Sequence, residues 1–199
     1  MKRFCVAALA VGVGIVLGGC TATTDSPDTT ASVTTSSAPS IAVQVSGAPT
    51  QPSQEKPAVE YDPCAALDDT AVSQAGFDPQ TRARADLVFD DYAFIGCEFD
   101  RKEQVRGQTL AVGSMTVSST NVGLDEFRQR ESATAQTIQV SGRDAITYSR
   151  PADEGCFVVM TGPDATINIH VSSSLALTSW NACDHRVQIA EAIEAAVPK

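Results

Sequence analysis

The N-terminal residues decide how much of this chain is free to fold, because they have the composition of an export signal. Lys2 and Arg3 precede an apolar stretch, residues 4–16, which Gly12 and Gly14 interrupt. A transmembrane helix needs about 20 consecutive apolar residues, so this shorter stretch favours a cleaved secretory signal. We therefore predict a lipoprotein-type signal peptide over residues 1–19.

The predicted signal ends in Leu17-Gly18-Gly19-Cys20, which has the pattern of a bacterial lipobox. Two small residues suit the peptidase cleft, and the Cys20 thiol is the side chain that can accept a diacylglycerol. Two or more acyl chains give a durable anchor where one gives only marginal binding. We expect lipid-modified Cys20 to hold the protein at the extracytoplasmic face of the cell membrane. The alternative is an ordinary signal peptide followed by a chance cysteine.

Residues 20–60 are predicted to form the lipid anchor and a disordered tether. Ser, Thr and Pro occupy twenty of the forty positions 21–60, which contain no aromatic residue. Such a segment cannot bury enough apolar surface to offset the entropy of ordering the chain. We expect a spacer between lipid and domain, with a glycosylated stalk as the alternative. Residues 61–199 remain for a single folded domain.

Local patterns in residues 61–199 predict an α+β domain, an antiparallel sheet with N- and C-terminal helices packed on one face. Asp62 and Pro63 suit a helix N-cap and first turn, which indicates a helix over about 63–75. Helical spacing of apolar residues predicts further helices over 124–128 and 182–197. Alternating patterns predict strands over 95–99, 109–117, 137–140, 144–148, 156–161 and 165–172.

Four of the six cysteines fall in the predicted domain, because Cys5 leaves with the signal and Cys20 takes the lipid. Cysteines of an exported domain are typically paired, and four cysteines allow three pairings. The adjacency of the predicted elements favours Cys64–Cys97 and Cys156–Cys183. Each bridge is worth about 3–4 kcal/mol on the chain-entropy model. A redox or zinc site is disfavoured because the sequence contains no C-x-x-C spacing.

Composition and motifs argue against several classes of function. The chain has 24 acidic and 14 basic residues, a formal net charge of −10, which disfavours nucleic-acid binding. The sequence contains neither a G-x-S-x-G nucleophile elbow nor a glycine-rich phosphate loop. His170 shares the polar face of a predicted strand with Asn168 and is expected to be solvated there. Arg82 and Arg84 are expected to be surface charges, with contact to anionic lipid head groups as the alternative. We therefore predict no catalytic residue, no metal site and no cofactor.

Several short motifs occur in a characteristic order along the chain. They are Asp62-Pro63-Cys64-Ala65-Ala66-Leu67, Gly96-Cys97-Glu98-Phe99, Gly142-Arg143-Asp144-Ala145, Gly155-Cys156, Cys183 and Val197-Pro198. With the lipobox and tether, this order resembles the lipoproteins of mycolic-acid-making actinobacteria (mycobacterial or nocardial type) that carry domain of unknown function 3558. The resemblance implies an exported, lipid-anchored α+β domain whose biochemical role is not established.

Arg143 is the motif residue that packing explains least. It follows Gly142 at a turn or bulge signal, where its guanidinium could face either a carboxylate of the protein or one of a ligand. We keep Arg143 as a speculative ligand contact, with the structural role open beside it. The functional expectation is a non-enzymatic module that binds an envelope protein, glycan or lipid. The alternatives are a cell-wall-acting hydrolase or an accessory subunit of an envelope sensor.

The lipobox makes the first testable prediction. Replacing the cysteine (Cys20→Ala) removes the thiol that would carry the diacylglycerol, so the variant should take up no fatty acid. Metabolic labelling with a radioactive fatty acid, followed by gel electrophoresis, measures this directly. Equal labelling of the variant and the wild type would contradict the lipid anchor.

Overall fold

The computed structural model describes residues 39–52, 55–150 and 155–199 of the chain. The predicted signal, Cys20 and the first half of the predicted tether lie outside the described residues. The helices are α1 (Pro63–Ala66), α2 (Asp69–Gln74), α3 (Leu124–Arg130) and α4 (Ala182–Glu194). The strands are β1 (Asp78–Arg84), β2 (Leu87–Val88), β3 (Ala93–Val105), β4 (Gln108–Thr120), β5 (Gln136–Val140), β6 (Arg143–Arg150), β7 (Gly155–Thr161) and β8 (Thr166–Ser173).

The strands form one eight-stranded sheet in the order β1-β3-β4-β8-β7-β6-β5, with β2 paired to β3. Every pairing is antiparallel. The prediction of an antiparallel sheet accompanied by helices is therefore confirmed, and the described residues contain four helices. None of these helices is long and apolar enough to cross a membrane.

Two hairpins in the sheet are closed by residue pairs with positive φ. Arg106 and Gly107, between β3 and β4, have φ of 52° and 83°. Ser141 and Gly142, between β5 and β6, have φ of 49° and 89°. Two successive positive φ values are the geometry of a type I′ turn, which matches the twist of the paired strands. The glycine before Arg143 is therefore explained by the hairpin turn.

Side chains of the central strands alternate between two apolar clusters. In β7, Cys156, Val158 and Met160 belong to a first cluster, whereas Phe157 and Val159 belong to a second. Successive side chains of a strand point to opposite faces of the sheet, so the two clusters lie on opposite faces. The first cluster contains residues of α1, α2 and α4, and the second contains residues of α3.

The single helix predicted over 63–75 is two helices in the structure. Leu67 is buried and has extended dihedral angles, φ −72° and ψ 118°, which end α1. Asp68 then caps α2 by accepting a hydrogen bond from the backbone N–H of Ala71 at 2.7 Å. A second N-capping aspartate, Asp68, thus starts a new helix directly after the one that Asp62 began.

Two disulfides attach helices to the sheet. Cys64–Cys97 joins α1 to β3, and Cys156–Cys183 joins β7 to α4, with sequence separations of 33 and 27 residues. These are the pairings that the adjacency of the predicted elements favoured, so that prediction is confirmed. The cysteines of both bridges contribute to the first apolar cluster.

The packed part of the chain extends N-terminal to Tyr61, where composition alone placed the domain boundary. The backbone of Asp69 donates a hydrogen bond to the carbonyl of Ser40 at 2.9 Å. The Asn121 side chain donates to the carbonyl of Pro57 at 2.8 Å. Val59 is buried beside Ala93 and Ile95. The described part of residues 20–60 therefore lies against the domain.

Arg82 of β1 is buried, so the expectation of a surface charge is wrong for this residue. Its side chain is 0% exposed. The guanidinium donates to the carbonyl of Cys64 at 3.0 Å, to that of Leu67 at 2.9 Å and to the carboxylate of Asp69 at 2.9 Å. The Cζ atom of this guanidinium also lies 4.9 Å from the ring centre of Phe99. Arg82 therefore provides hydrogen bonds to the two carbonyls, and an ion pair to the carboxylate, where α1 ends and α2 begins.

We expect Arg82→Met to lower the free energy of unfolding by about 3–5 kcal/mol, because it leaves a carboxylate and two carbonyls without their buried partner. The matched control is Arg128→Met, which removes an ion pair with the 95% exposed side chain of Asp125. Such surface pairs contribute about 0–1 kcal/mol. Urea unfolding followed by circular dichroism measures both variants. Equal losses would contradict the role assigned to Arg82.

Candidate functional site

A pocket of about 490 Å³ opens on the sheet face that carries the second apolar cluster. Its floor is formed by residues of β4, β6, β7 and β8, and one wall comes from α3 and the residue after it. The segment 85–92 and the start of β3 form another wall, which meets α3 where Phe94 contacts Phe127. Small-molecule sites in proteins are typically clefts of about 300–1,000 Å³, so the volume suits one small ligand.

Three stacked rings form one part of the floor. The rings of Tyr148 and Phe157 lie 4.7 Å apart with an angle of 6°, and those of Phe157 and His170 lie 4.4 Å apart at 14°. These residues are direct neighbours in the antiparallel register, Tyr148 opposite Phe157 and Phe157 opposite His170. Cross-strand neighbours lie at about the stacking distance of rings, so the sheet itself sets this spacing.

Gly155 leaves the space that the ring of His170 occupies. A Cβ atom on this glycine would lie 2.0 Å from Nε2 of His170, far inside contact distance. His170 is half-buried in the ring stack, so the expectation of a solvated histidine is wrong. The sequence did place it correctly on one face of β8 with Asn168.

Polar side chains form the adjoining part of the floor. Thr116 lies opposite His170, and Ser118 lies opposite Asn168, in the pairing of β4 with β8. The amide oxygen of Asn168 is buried and has no hydrogen-bond partner among the residues that the structure describes. A buried acceptor without a partner costs about 1–3 kcal/mol. The floor therefore contains an amide oxygen that lacks a partner and is covered in this side-chain orientation.

A second set of rings forms the walls. Phe89 and Tyr92 have ring centres 4.8 Å apart, Tyr92 and Phe94 meet edge to face at 5.9 Å, and Phe94 meets Phe127 of α3 at 6.3 Å. Such pairs each add about 0.5–1.5 kcal/mol beyond the area that they bury. At the mouth, Phe89 and Leu87 remain 45% and 58% exposed. The walls thus lead from a buried aromatic interior to an exposed apolar rim.

Two arginines lie above aromatic rings at the pocket wall. The guanidinium carbon of Arg130 is 5.4 Å from the ring centre of Tyr92, and that of Arg150 is 5.5 Å from that of Tyr148. Arg130 also pairs with Glu126, and Arg150 with Glu131. Both arginines are held in place by a ring and a carboxylate.

Asp86 provides the remaining charge in the pocket lining. It accepts hydrogen bonds from the guanidinium of Arg84 and, at 3.0 Å, from the backbone N–H of Gly96. The charged lining residues are Arg130, Arg150, Asp86 and Glu131, and their formal charges cancel. The pocket lining therefore carries no net charge.

Arg143, the speculative ligand contact, begins β6 and contacts the C-terminal residues of the chain. It does not line this pocket. It pairs with the buried carboxylate of Glu194 at 2.8 Å and donates to the carbonyls of Thr161 and Val197 at 3.2 Å. Burial raises the pKa of Glu194, but hydrogen bonds from Lys199 and Arg143 outweigh it, so the net pKa is lowered. These contacts favour the structural role for Arg143.

Other parts of the described chain offer less chemistry. A polar groove of about 320 Å³, lined by Asp100, Ser114 and Ser172 among others, contains no aromatic side chain. Within residues 39–52, 55–150 and 155–199, no group of three or more His, Cys, Asp or Glu side chains could hold a metal ion. Cys20 lies outside these residues. The aromatic pocket is therefore the strongest candidate site.

Sequence reasoning missed the pocket because its residues are scattered over six strands, the segment 85–92 and α3. Patterning assigned Tyr148 and Phe157 to strands, but only the register brings their rings together with His170. The sequence feature that could have indicated the pocket is the alternation of polar and apolar residues in β8. It places Asn168 and His170 on one face of the strand and Ile167 and Ile169 on the other. The sequence did not show that α3 and the segment 85–92 would lie beside this polar face.

The space beneath His170 makes a second structural prediction. Gly155→Ala should force the imidazole out of its stack on Phe157, because the new methyl group overlaps the ring. Proton NMR of the ring protons measures this, since loss of the aromatic ring current moves them downfield. His185, stacked on Trp180, gives the internal reference in the same spectrum.

The control for this variant is Gly123→Ala, because a Cβ on Gly123 meets nothing within 4 Å. It should leave both histidine signals in place. An unchanged His170 signal in Gly155→Ala would contradict the ring stack that forms the pocket floor.

Comparison with protein families gives a match over nearly the whole chain. The family model described as "Protein of unknown function (DUF3558)" matches residues 15–196. The comparisons with curated proteins and with solved structures found no match. The family match covers every helix and strand of the fold and all residues of the pocket. The chain therefore belongs to the DUF3558 family of proteins of unknown function.

Proposed function

We propose that this protein is an exported lipoprotein of the cell envelope whose domain is a non-enzymatic binding module. Lipid on Cys20 would anchor it at the extracytoplasmic face of the membrane, and its ligand would be an envelope component. The sequence Leu17-Gly18-Gly19-Cys20 supports the anchor. An anchored domain gains effective concentration at the surface, so a modest affinity is sufficient.

The observation that carries the binding role is the aromatic pocket of about 490 Å³. Ligand sites are mostly apolar clefts with a few placed polar groups, and this pocket combines ring-lined walls with the polar row of Thr116, Ser118 and Asn168. In this proposal the N- and C-terminal helices together cover the opposite face of the sheet. The pocket face is then left to the ligand.

The charged groups beside the pocket favour binding over catalysis. Arg130 and Arg150 are paired with carboxylates of the α3 segment, and Asp86 is paired with Arg84. General acid or base chemistry needs a group whose protonation is tuned and which reaches the substrate. Paired side chains around an aromatic interior instead suit recognition by shape and hydrogen bonds.

A pocket-filling variant tests this proposal. Thr116→Trp places a large ring on the floor and should exclude the ligand while the disulfide-linked fold is kept. The full protein, extracted from its native membrane in mild detergent, is analysed by native mass spectrometry. We expect a bound small molecule on the wild type that is lost from Thr116→Trp.

The matched control is Thr137→Trp, because Thr137 is an exposed residue of the edge strand β5. It should retain the bound mass. Equal ligand occupancy in Thr116→Trp and the wild type would contradict the pocket as the binding site. Turnover of cell-wall fragments by the wild type, lost in Thr116→Trp, would contradict the non-enzymatic role.

A further inference from the structure

We infer that the ligand of the aromatic pocket is an uncharged carbohydrate, a short neutral oligosaccharide or the sugar portion of a larger glycan. This inference rests on the proposed binding function and adds the chemical class of the ligand. Three observations carry it: an unused buried acceptor, a lining without net charge, and exposed apolar side chains at the mouth.

The first observation is the amide oxygen of Asn168. It is buried at the foot of the pocket and has no hydrogen-bond partner among the described residues. The oxygen is covered in this side-chain orientation, so a ligand hydroxyl or N–H would reach it after rotation of the Asn168 amide. That hydrogen bond would remove the cost of the unmatched acceptor, whereas a hydrocarbon chain would leave it in place. Ser118, opposite Asn168, adds a hydroxyl group beside it. The deep end of the pocket therefore selects a hydrogen-bond donor.

The second observation is the charge balance of the lining. Arg130 and Arg150 are matched by Asp86 and Glu131, so an ionised ligand gains no net attraction there. The whole chain carries a formal net charge of −10, which disfavours anions further. Guanidinium groups donate and carboxylates accept hydrogen bonds. Together they suit hydroxyl groups, which do both.

The third observation is the mouth of the pocket. Phe89 is 45% exposed and its ring packs against that of Tyr92, so part of the Phe89 side chain is accessible to solvent at the mouth. A pyranose or furanose ring has C–H groups on one face and hydroxyl groups at its edge. Such a ring can lie on an aromatic surface while its hydroxyls reach polar groups, which is the combination that this pocket offers.

The test uses the full purified protein and three kinds of probe. An array of short neutral oligosaccharides represents the inferred class, and a matched set containing uronic acids represents charged sugars. The fluorescent fatty acid cis-parinaric acid represents acyl chains. We expect binding to neutral oligosaccharides, weaker binding to the acidic set, and no saturable fluorescence change with the fatty acid.

Asn168→Leu separates a role in binding from a role in the fold. It replaces the unpartnered amide by an apolar side chain of similar size. We expect affinity for the neutral oligosaccharide to fall about tenfold, since a hydrogen bond to the ligand is lost. The unfolding midpoint of the ligand-free protein should stay the same or rise. Gln139→Leu, at an exposed position of β5, should change neither quantity.

Several results would overturn the inference. They are preference for acidic sugars, saturable binding of the fatty acid, absence of sugar binding, or unchanged sugar affinity in Asn168→Leu. The variant Thr116→Trp distinguishes a wrong ligand class from a wrong binding site. If a non-sugar probe binds the wild type and is excluded by Thr116→Trp, only the ligand class is wrong. If every probe binds Thr116→Trp as well as the wild type, the pocket is not the site.

Discussion

The alternation of side chains along β7 and β8 is the constraint on which both the core and the pocket depend. Cys156 and Val158 face the first cluster, while Phe157 between them faces the pocket. A shift of one residue in register would exchange these sets and place His170 in the apolar core. The fold therefore determines the candidate site through strand register more than through any local motif.

The first cluster keeps this register in place. It combines the inner residues of the sheet with helices that two disulfides attach, Cys64–Cys97 at one side and Cys156–Cys183 at the other. Arg82 completes the attachment of α1 and α2 by hydrogen bonds to backbone carbonyls and to Asp69. The first cluster and its two disulfides thus pack on one set of strand side chains, and the pocket is lined by the alternate set.

Residue patterns predicted the parts of the fold that depend on neighbours in sequence. The capping residue Asp62, the hairpin glycine Gly142 and the alternation around Ile167 and Ile169 each indicated the correct local structure. The pairing of the cysteines also followed, because adjacent elements could be ordered along the chain. The first three features are set by backbone geometry over a few residues, whereas the disulfides join cysteines 33 and 27 positions apart.

The features that sequence reasoning missed depend on distant contacts. β1 contains Pro79 and is otherwise mostly polar, yet it forms an edge strand, where proline is tolerated. The sequence around Arg82 suggests a surface charge, but in the sheet its position in β1 places it beneath the junction of α1 and α2. The segment before Tyr61 is polar in composition, but Val59 and the backbone of Ser40 find partners on the domain. The pocket likewise exists only once the sheet is assembled.

The central claim is that the ring-lined face of the sheet is where this protein holds its ligand. The most direct measurement is an experimental structure of the full protein extracted from its native membrane with its ligand retained. The account predicts bound density between Phe89 and Asn168, with a donor group on the Asn168 amide oxygen. Density in the polar groove beside Ser114 and Ser172, with the aromatic pocket empty, would contradict it.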